Sequence, residues 1–317
     1  MSSASDVNST TVHSNRSPIT QAHVAFCAIL LVSAIVSWKT LGALVAYSLH
    51  NESASHIIVI PLVSAYLLFA ERKRIFAAVQ PSLAAGTGVI LVGAGLYWTA
   101  VWSALGWQGN ALSAATLALV LIWVGGFLCS YGLATAQRAV FLLLFLLLMV
   151  PLPDSVLAWI VHALQQGSTD VTYLLFKIVG VPVFRQGFVL SVPGVSIEVA
   201  AECSGIRSSI ALFITCLLAA HFYLRTPWKI LVFVLLVLPL AVVKNGIRIV
   251  TLTLLSIYID PSFLRGSLHR DGGFVFFLLA LLLLLPIFLA LEKSESRRAA
   301  LKAPQPAGSI EGGGTRS

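Results

Sequence analysis

The chain has 317 residues, 58% of them hydrophobic and 10% charged, with a mean hydropathy of +0.94. A soluble globule cannot hide that much apolar surface, so most residues face lipid or one another, and the chain is expected to be a polytopic membrane protein. A formal net charge of +8 would point to nucleic acid in a soluble protein. Here the cations cluster in short segments beside apolar runs, where they act as topology signals, so lipid and not nucleic acid is the expected partner.

The N-terminal residues 1–21 read as a cytoplasmic tail with no basic n-region ahead of a short apolar stretch, so the first helix is expected to be retained. Apolar runs at 22–48, 56–70, 86–105, 111–130, 138–151, 208–224, 230–257 and 273–291 predict about eight spans near the roughly 20 residues a membrane helix needs. The second and fifth are short. The seventh is long, with Pro239, Lys244 and Gly246 as places to tilt or break.

Between the fifth and sixth runs lies an exterior segment, 152–207. From Asp154 to Val179 apolar residues such as Val156, Ile160, Leu164, Val171 and Leu175 recur at helical spacing, with His162, Gln165, Gln166 and Asp170 elsewhere on the turn. That pattern predicts a helix lying on or dipping into the outer interface. Alternation then follows on both sides of Pro193-Gly194, Phe188, Leu190 and Val192 before it and Val195, Ile197 and Val199 after, which predicts a β-hairpin. The expected fold is an all-α polytopic membrane protein with this small extracytoplasmic helix and hairpin before the sixth span. Residues 22–292 form the transmembrane domain, and 293–317, with Gly312-Gly313-Gly314, a disordered cytoplasmic tail. No internal repeat is present.

The lysines and arginines set an orientation. Arg72-Lys73-Arg74, Arg138, Arg225, Lys229, Lys293, Arg297, Arg298 and Lys302 all fall on one side of an eight-span topology, which makes that side and both termini cytoplasmic. Lys177, Arg185 and Arg207 on the opposite side leave the bias clear but imperfect.

Three polar clusters then share the outer face. The first is Glu202-Cys203-Ser204-Gly205-Ile206-Arg207, where the hairpin runs into the sixth span. Of four cysteines, Cys27 and Cys129 fall near cytoplasmic ends and Cys216 within the sixth span, so Cys203 faces the exterior with no partner for a disulfide. A cysteine at a helix start is often a small buried hydrophobe. A helix N-terminus with Ser204 as candidate cap, and Arg207 one turn on, would instead lower a thiol pKa, while Glu202 opposes that effect.

The second cluster is Lys244-Asn245-Gly246-Ile247-Arg248 inside an apolar run. An arginine deep in a membrane costs about 2.5–3.5 kcal/mol or more, so Arg248 is expected to face a polar site in the bundle; the alternative is a side chain snorkelling to outer headgroups beside Lys244 and Asn245. Always protonated, it cannot be a base but can hold an oxyanion. The third cluster, His269-Arg270-Asp271-Gly272-Gly273, precedes the last span, and His269 can take a proton from a thiol or hand one to a leaving amine. His162 and His221 have no companion motif. No zinc-ligand spacing, HExxH, GxSxG or Walker A pattern occurs.

Taken together, Val199-Ala200-Ala201-Glu202-Cys203-Ser204-Gly205-Ile206-Arg207-Ser208, Asn245-Gly246-Ile247-Arg248-Ile249 and His269-Arg270-Asp271-Gly272-Gly273-Phe274 resemble the three blocks of the exosortase/archaeosortase family, in the family's order. Ser55-His56 to Tyr66-Leu67-Leu68 is similar to its early helix, and Val150-Pro151-Leu152-Pro153 to its Pro-Leu-Pro segment; Ile57-Ile58 departs from the usual Gly-Phe. The resemblance covers roughly residues 50 to 291. It implies a cysteine transpeptidase or protease of the bacterial plasma membrane, with its active site on the extracytoplasmic face. Its partners would be secreted proteins whose C-terminal sorting signal is a short motif such as Pro-Glu-Pro, a hydrophobic helix and a basic tail. By motif match Cys203 would be the nucleophile, Arg248 the transition-state stabiliser and His269 the general acid/base, with no metal or organic cofactor.

Two other classes compete. A transporter or assembly component for lipid-linked saccharide or exopolysaccharide export predicts ionisable residues along several helices at midplane, yet spans three, four, five and eight are nearly free of them. A non-catalytic scaffold predicts that Cys203, Arg248 and His269 are dispensable.

Overall fold

The computed structural model describes residues 18–102, 110–264 and 273–302. The chain divides into two compact units, Met1–Asp154 and Ser155–Ser317.

The first unit is helical. Its elements are α1 (Pro18–Val36), α2 (Trp38–His50), α3 (Val59–Ala70), α4 (Arg72–Ile75), α5 (Leu83–Trp102), α6 (Ala111–Tyr131), α7 (Leu133–Arg138) and α8 (Val140–Phe145), the last continued by a 3-10 turn, Leu146–Met149. The first apolar run is thus two helices parted at Ser37. Helix α6 is the axis, its small residues Ala114, Ala115, Ala118 and Gly125 buried. At its end Tyr131 meets the rings of His23, Phe26, Phe76 and Phe127, and its hydroxyl lies 2.8 Å from His23 Nδ1. Two of the topology-setting arginines also meet: Arg74 Nη2 donates to the Arg138 carbonyl at 3.1 Å, and Arg138 Nη1 to that of Ala78 at 3.2 Å.

The second unit holds α9 (Asp154–Val179), strands β1 (Phe184–Gln186), β2 (Val189–Val192) and β3 (Val195–Glu198), a 3-10 turn at Ala201–Ser204, then α10 (Ile206–Tyr223), α11 (Pro227–Tyr258) and α12 (Gly273–Lys302). The strands form one antiparallel sheet in the order β1-β2-β3. Strands β2 and β3 turn at Pro193-Gly194, and β1 joins them in register Arg185↔Leu190. Alternation marks the two longer strands in the sequence; β1, three residues set off by Gly187, is too short to show a period.

The span count differs from the sequence expectation of about eight. Among the described residues, six helices are long and apolar enough to cross a membrane, or up to seven if the broken pair Val140–Met149 and Asp154–Val179 counts as one. The second run yields α3, of only 12 residues, and the fifth is broken into short helical pieces. Helix α12 runs past Lys293, where composition begins a disordered tail, to Lys302, and the rest of that tail lies outside the described residues.

The buried face of helix α9 is largely polar, while apolar residues such as Trp159, Leu174 and Ile178 are exposed. Its buried residues are the small polar Ser168, Thr169 and Thr172 together with Phe176, each at 0% exposure. Thr169 and Thr172 satisfy their hydroxyls on carbonyls one turn back, Gln165 and Ser168, which frees that stripe for close helix packing. The partner is α11: a Cβ on Gly246 would lie 2.6 Å from Val171 Cγ1, so only glycine lets the backbones approach there.

Candidate active site

Three elements hold the chain as it leaves the sheet. Phe176 of α9, Leu190 and Val192 of β2, Val199, and Ile249 and Val250 of α11 form one buried apolar cluster. Gln165 Nε2 donates to the Val199 carbonyl at 2.5 Å, and the Val199 amide donates to the Phe188 carbonyl at 3.0 Å. The ring of Phe188 meets His162 edge-on at 5.5 Å. Val199 is therefore fixed on both backbone groups, four residues before Cys203.

The turn Ala201–Ser204 carries Cys203, and Gly205 follows in the left-handed region, φ +74°, as the N-cap residue of α10. The expectation of Ser204 as cap fails. Ser204 makes no capping bond, its side chain is 1% exposed, and its hydroxyl has no hydrogen-bond partner among the described residues. The physical reason is the extra 3-10 turn, which moves the helix start one residue on. A left-handed residue there favours glycine, since other side chains pay about 1–2 kcal/mol for that conformation.

Gly205 is needed for a second reason. A Cβ on it would fall 2.8 Å from Asn245 Oδ1, so the turn rests directly on α11. Asn245, 1% exposed, donates from Nδ2 to Ser168 Oγ of α9 at 2.9 Å. Lys244, also 1% exposed, donates to Ser208 Oγ in the first turn of α10. The block at 244–246 is thus a three-way joint: Lys244 holds α10, Asn245 touches the Cys203-bearing turn and α9, and Gly246 admits α9.

Arg248 lies half-buried, one helical turn beyond Lys244 and Asn245. Its neighbours Lys244 and Asn245 are buried and bonded within the bundle. The Cys203-bearing backbone and the arginine-bearing turn of α11 are brought together; Arg207 is exposed on α10. His269 lies outside the described residues. Of the remaining cysteines, Cys27 is exposed, Cys129 half-buried and Cys216 buried.

Sequence reading missed Gln165, Ser168 and Ser208 as parts of this joint. For α9 a signal was present: Gln165, Ser168, Thr169 and Thr172 make a polar stripe at helical spacing, of which the sequence reading took up Gln165 alone.

The backbone geometry seats the turn that carries Cys203 on α11, within one helical turn of Arg248. No curated protein and no solved structure matches the chain. A protein family does: residues 38–286 match the transmembrane exosortase family (Exosortase_EpsH). That match takes in the Cys203 turn, the α11 block and His269, and with it the chain belongs to the transmembrane exosortase family.

Proposed function

We propose that this multi-pass membrane protein is a cysteine transpeptidase or protease that removes C-terminal sorting signals from secreted proteins. The observation that supports it most is the packing of Gly205 on Asn245: two residues past Cys203 the chain is seated on α11, one turn before Arg248. That contact, between segments far apart in sequence, supports assigning Cys203 and Arg248 to one site.

The chemistry follows the residues. The Cys203 thiolate attacks the scissile carbonyl carbon, and the carbonyl oxygen becomes an oxyanion that the Arg248 guanidinium stabilises with two N–H groups. His269, assigned by motif match, takes the thiol proton and gives it to the leaving amine, which departs with the hydrophobic helix and basic tail of the substrate. A thioester remains on Cys203. Water or an amine, deprotonated by His269, attacks that thioester and restores the thiol. All of this is placed on the extracytoplasmic side of a bacterial plasma membrane, with Arg72-Lys73-Arg74, Arg225 and both termini inside. Such substrates are recognised by a short motif of the Pro-Glu-Pro kind.

The test is the size of a co-expressed secreted protein bearing such a tail. Wild type should shorten it and Cys203→Ala should leave it full length at equal membrane levels of the enzyme; normal shortening by Cys203→Ala would exclude cysteine chemistry.

A further inference from the structure

Lys244, one of two buried lysines of α11, has a use that the proposed reaction does not assign. Lys244 sits within a membrane helix at 1% exposure, and no described carboxylate lies within ion-pair distance of its ammonium. Its partner is the Ser208 hydroxyl. A lysine kept in a bilayer without a counter-charge is costly and marks a functional position.

The donors along this chain of bonds can be arranged in only one way. A lysine ammonium donates and never accepts, so Ser208 Oγ accepts from Lys244 and must direct its own proton elsewhere. It goes to the Gly205 carbonyl, at 3.0 Å. That carbonyl also receives the Ser209 hydroxyl at 2.8 Å and the Ser209 amide at 2.9 Å. A cation at one end of a hydrogen-bond chain polarises each link after it. The chain of bonds terminates on the left-handed residue that closes the turn carrying Cys203.

We infer that Lys244 is a positioning residue for the nucleophile: through Ser208 it fixes the Gly205 carbonyl, and so the attitude of the Cys203 turn on the start of α10. Asn245 supports the same turn from the side, by contact with Gly205. Lys244 touches neither substrate nor the reacting atoms. Its effect is geometric, and misplacing a reacting group by about 1 Å costs on the order of 100-fold in rate.

The inference rests on Cys203 being the nucleophile, and the experiment separates the two. Three quantities are measured on the full-length protein in membranes: shortening of the tailed substrate, the rate at which an impermeant maleimide alkylates Cys203, and the melting temperature after mild solubilisation. Labelling at Cys203 is isolated by subtracting the signal of Cys203→Ala. Lys244→Met and Ser208→Ala should each slow shortening by roughly 10- to 100-fold and change the alkylation rate. Ser208→Thr, which keeps the hydroxyl, should restore both, and Lys244→Met with Ser208→Ala should add little to either alone. Ser208→Ala removes no charge and one small hydroxyl, so it stays informative if Lys244→Met fails to fold. If Cys203→Ala still shortens the substrate, the enzyme reading falls. If Cys203→Ala is inactive but Ser208→Ala shortens substrate and reacts with maleimide like wild type, the positioning role alone is overturned. That role is overturned equally if Ser208→Thr behaves as Ser208→Ala, or if losses merely track the melting temperature.

Discussion

Helix α11 buries two lysines, Lys229 in its first turn and Lys244 near its middle, and the two are treated differently. Lys229, 2% exposed, donates to Ser294 Oγ at 2.6 Å and to the Leu291 carbonyl at 3.2 Å, and lies 3.8 Å from Glu295 Oε1. Glu295 in turn accepts the amides of Arg225 and Thr226 at 2.9 and 2.8 Å, closing the α10–α11 connection onto α12. That end is a satisfied ion cluster that ties three helices. Lys244 has, among the described residues, a serine hydroxyl in place of a carboxylate, with Arg248 one turn away. The fold can neutralise a buried lysine where only packing is at stake. The other is bonded to a hydroxyl that leads on to the Gly205 carbonyl, at the close of the turn carrying Cys203.

On that contrast the largest losses come from the site that Lys244 supports. Cys203→Ala, Arg248→Ala and His269→Ala should each abolish shortening of a tailed substrate, and double changes should lose little more, because groups that act as a unit are not additive. Arg248→Lys should also fail, since a point charge does not reproduce the guanidinium fork. Restoration of shortening by Arg248→Lys would show that charge alone suffices there.

The two lysines should next separate activity from stability. Lys229→Met is expected to lower unfolding stability by about 1–3 kcal/mol while the enzyme that remains folded shortens substrate normally. Loss of activity per folded molecule in Lys229→Met would erase the distinction between the two lysines. A smaller effect belongs to the turn itself. Gly205→Ala should cost about 1–3 kcal/mol, through its left-handed backbone and the contact with Asn245, and should slow processing beyond what the stability loss explains. Denaturation curves read beside substrate shortening would show both. Mildest of all, Glu295→Gln keeps an acceptor for the Arg225 and Thr226 amides and loses only the charge near Lys229, so a drop within about 1 kcal/mol is expected.

Much of this is legible in the chain without coordinates. Hydropathy locates α1, α5, α6, α10, α11 and α12 because a membrane span writes its own length into the chain. The turn at Pro193-Gly194 and the cysteine after it are visible as alternation running into a helix. What stays hidden is inter-helix chemistry. Gln165 reads as part of the polar side of an interfacial helix and Ser168 goes unnoticed, because polarity at helical spacing has the same pattern whether it meets water or another helix; the bond from Asn245 to Ser168 and the approach of Gly246 to Val171 decide which. Ser204 reads as the cap because a 3-10 turn of four residues leaves no period to detect. The eight-span expectation stumbles on α3 and on the run after Arg138, where apolar composition continues across breaks in the helix. His269 is found by motif alone, and lies outside the described residues.

The central claim is that Cys203 carries the substrate covalently. The direct measurement is to mix membranes holding the enzyme with a tailed substrate, quench in acid, and look by mass spectrometry for the substrate fragment joined to the Cys203 peptide. The account predicts a thioester adduct released by neutral hydroxylamine, present in wild type and absent in Cys203→Ala. Shortened substrate accumulating with no such adduct, or an adduct that persists in Cys203→Ala, would contradict it.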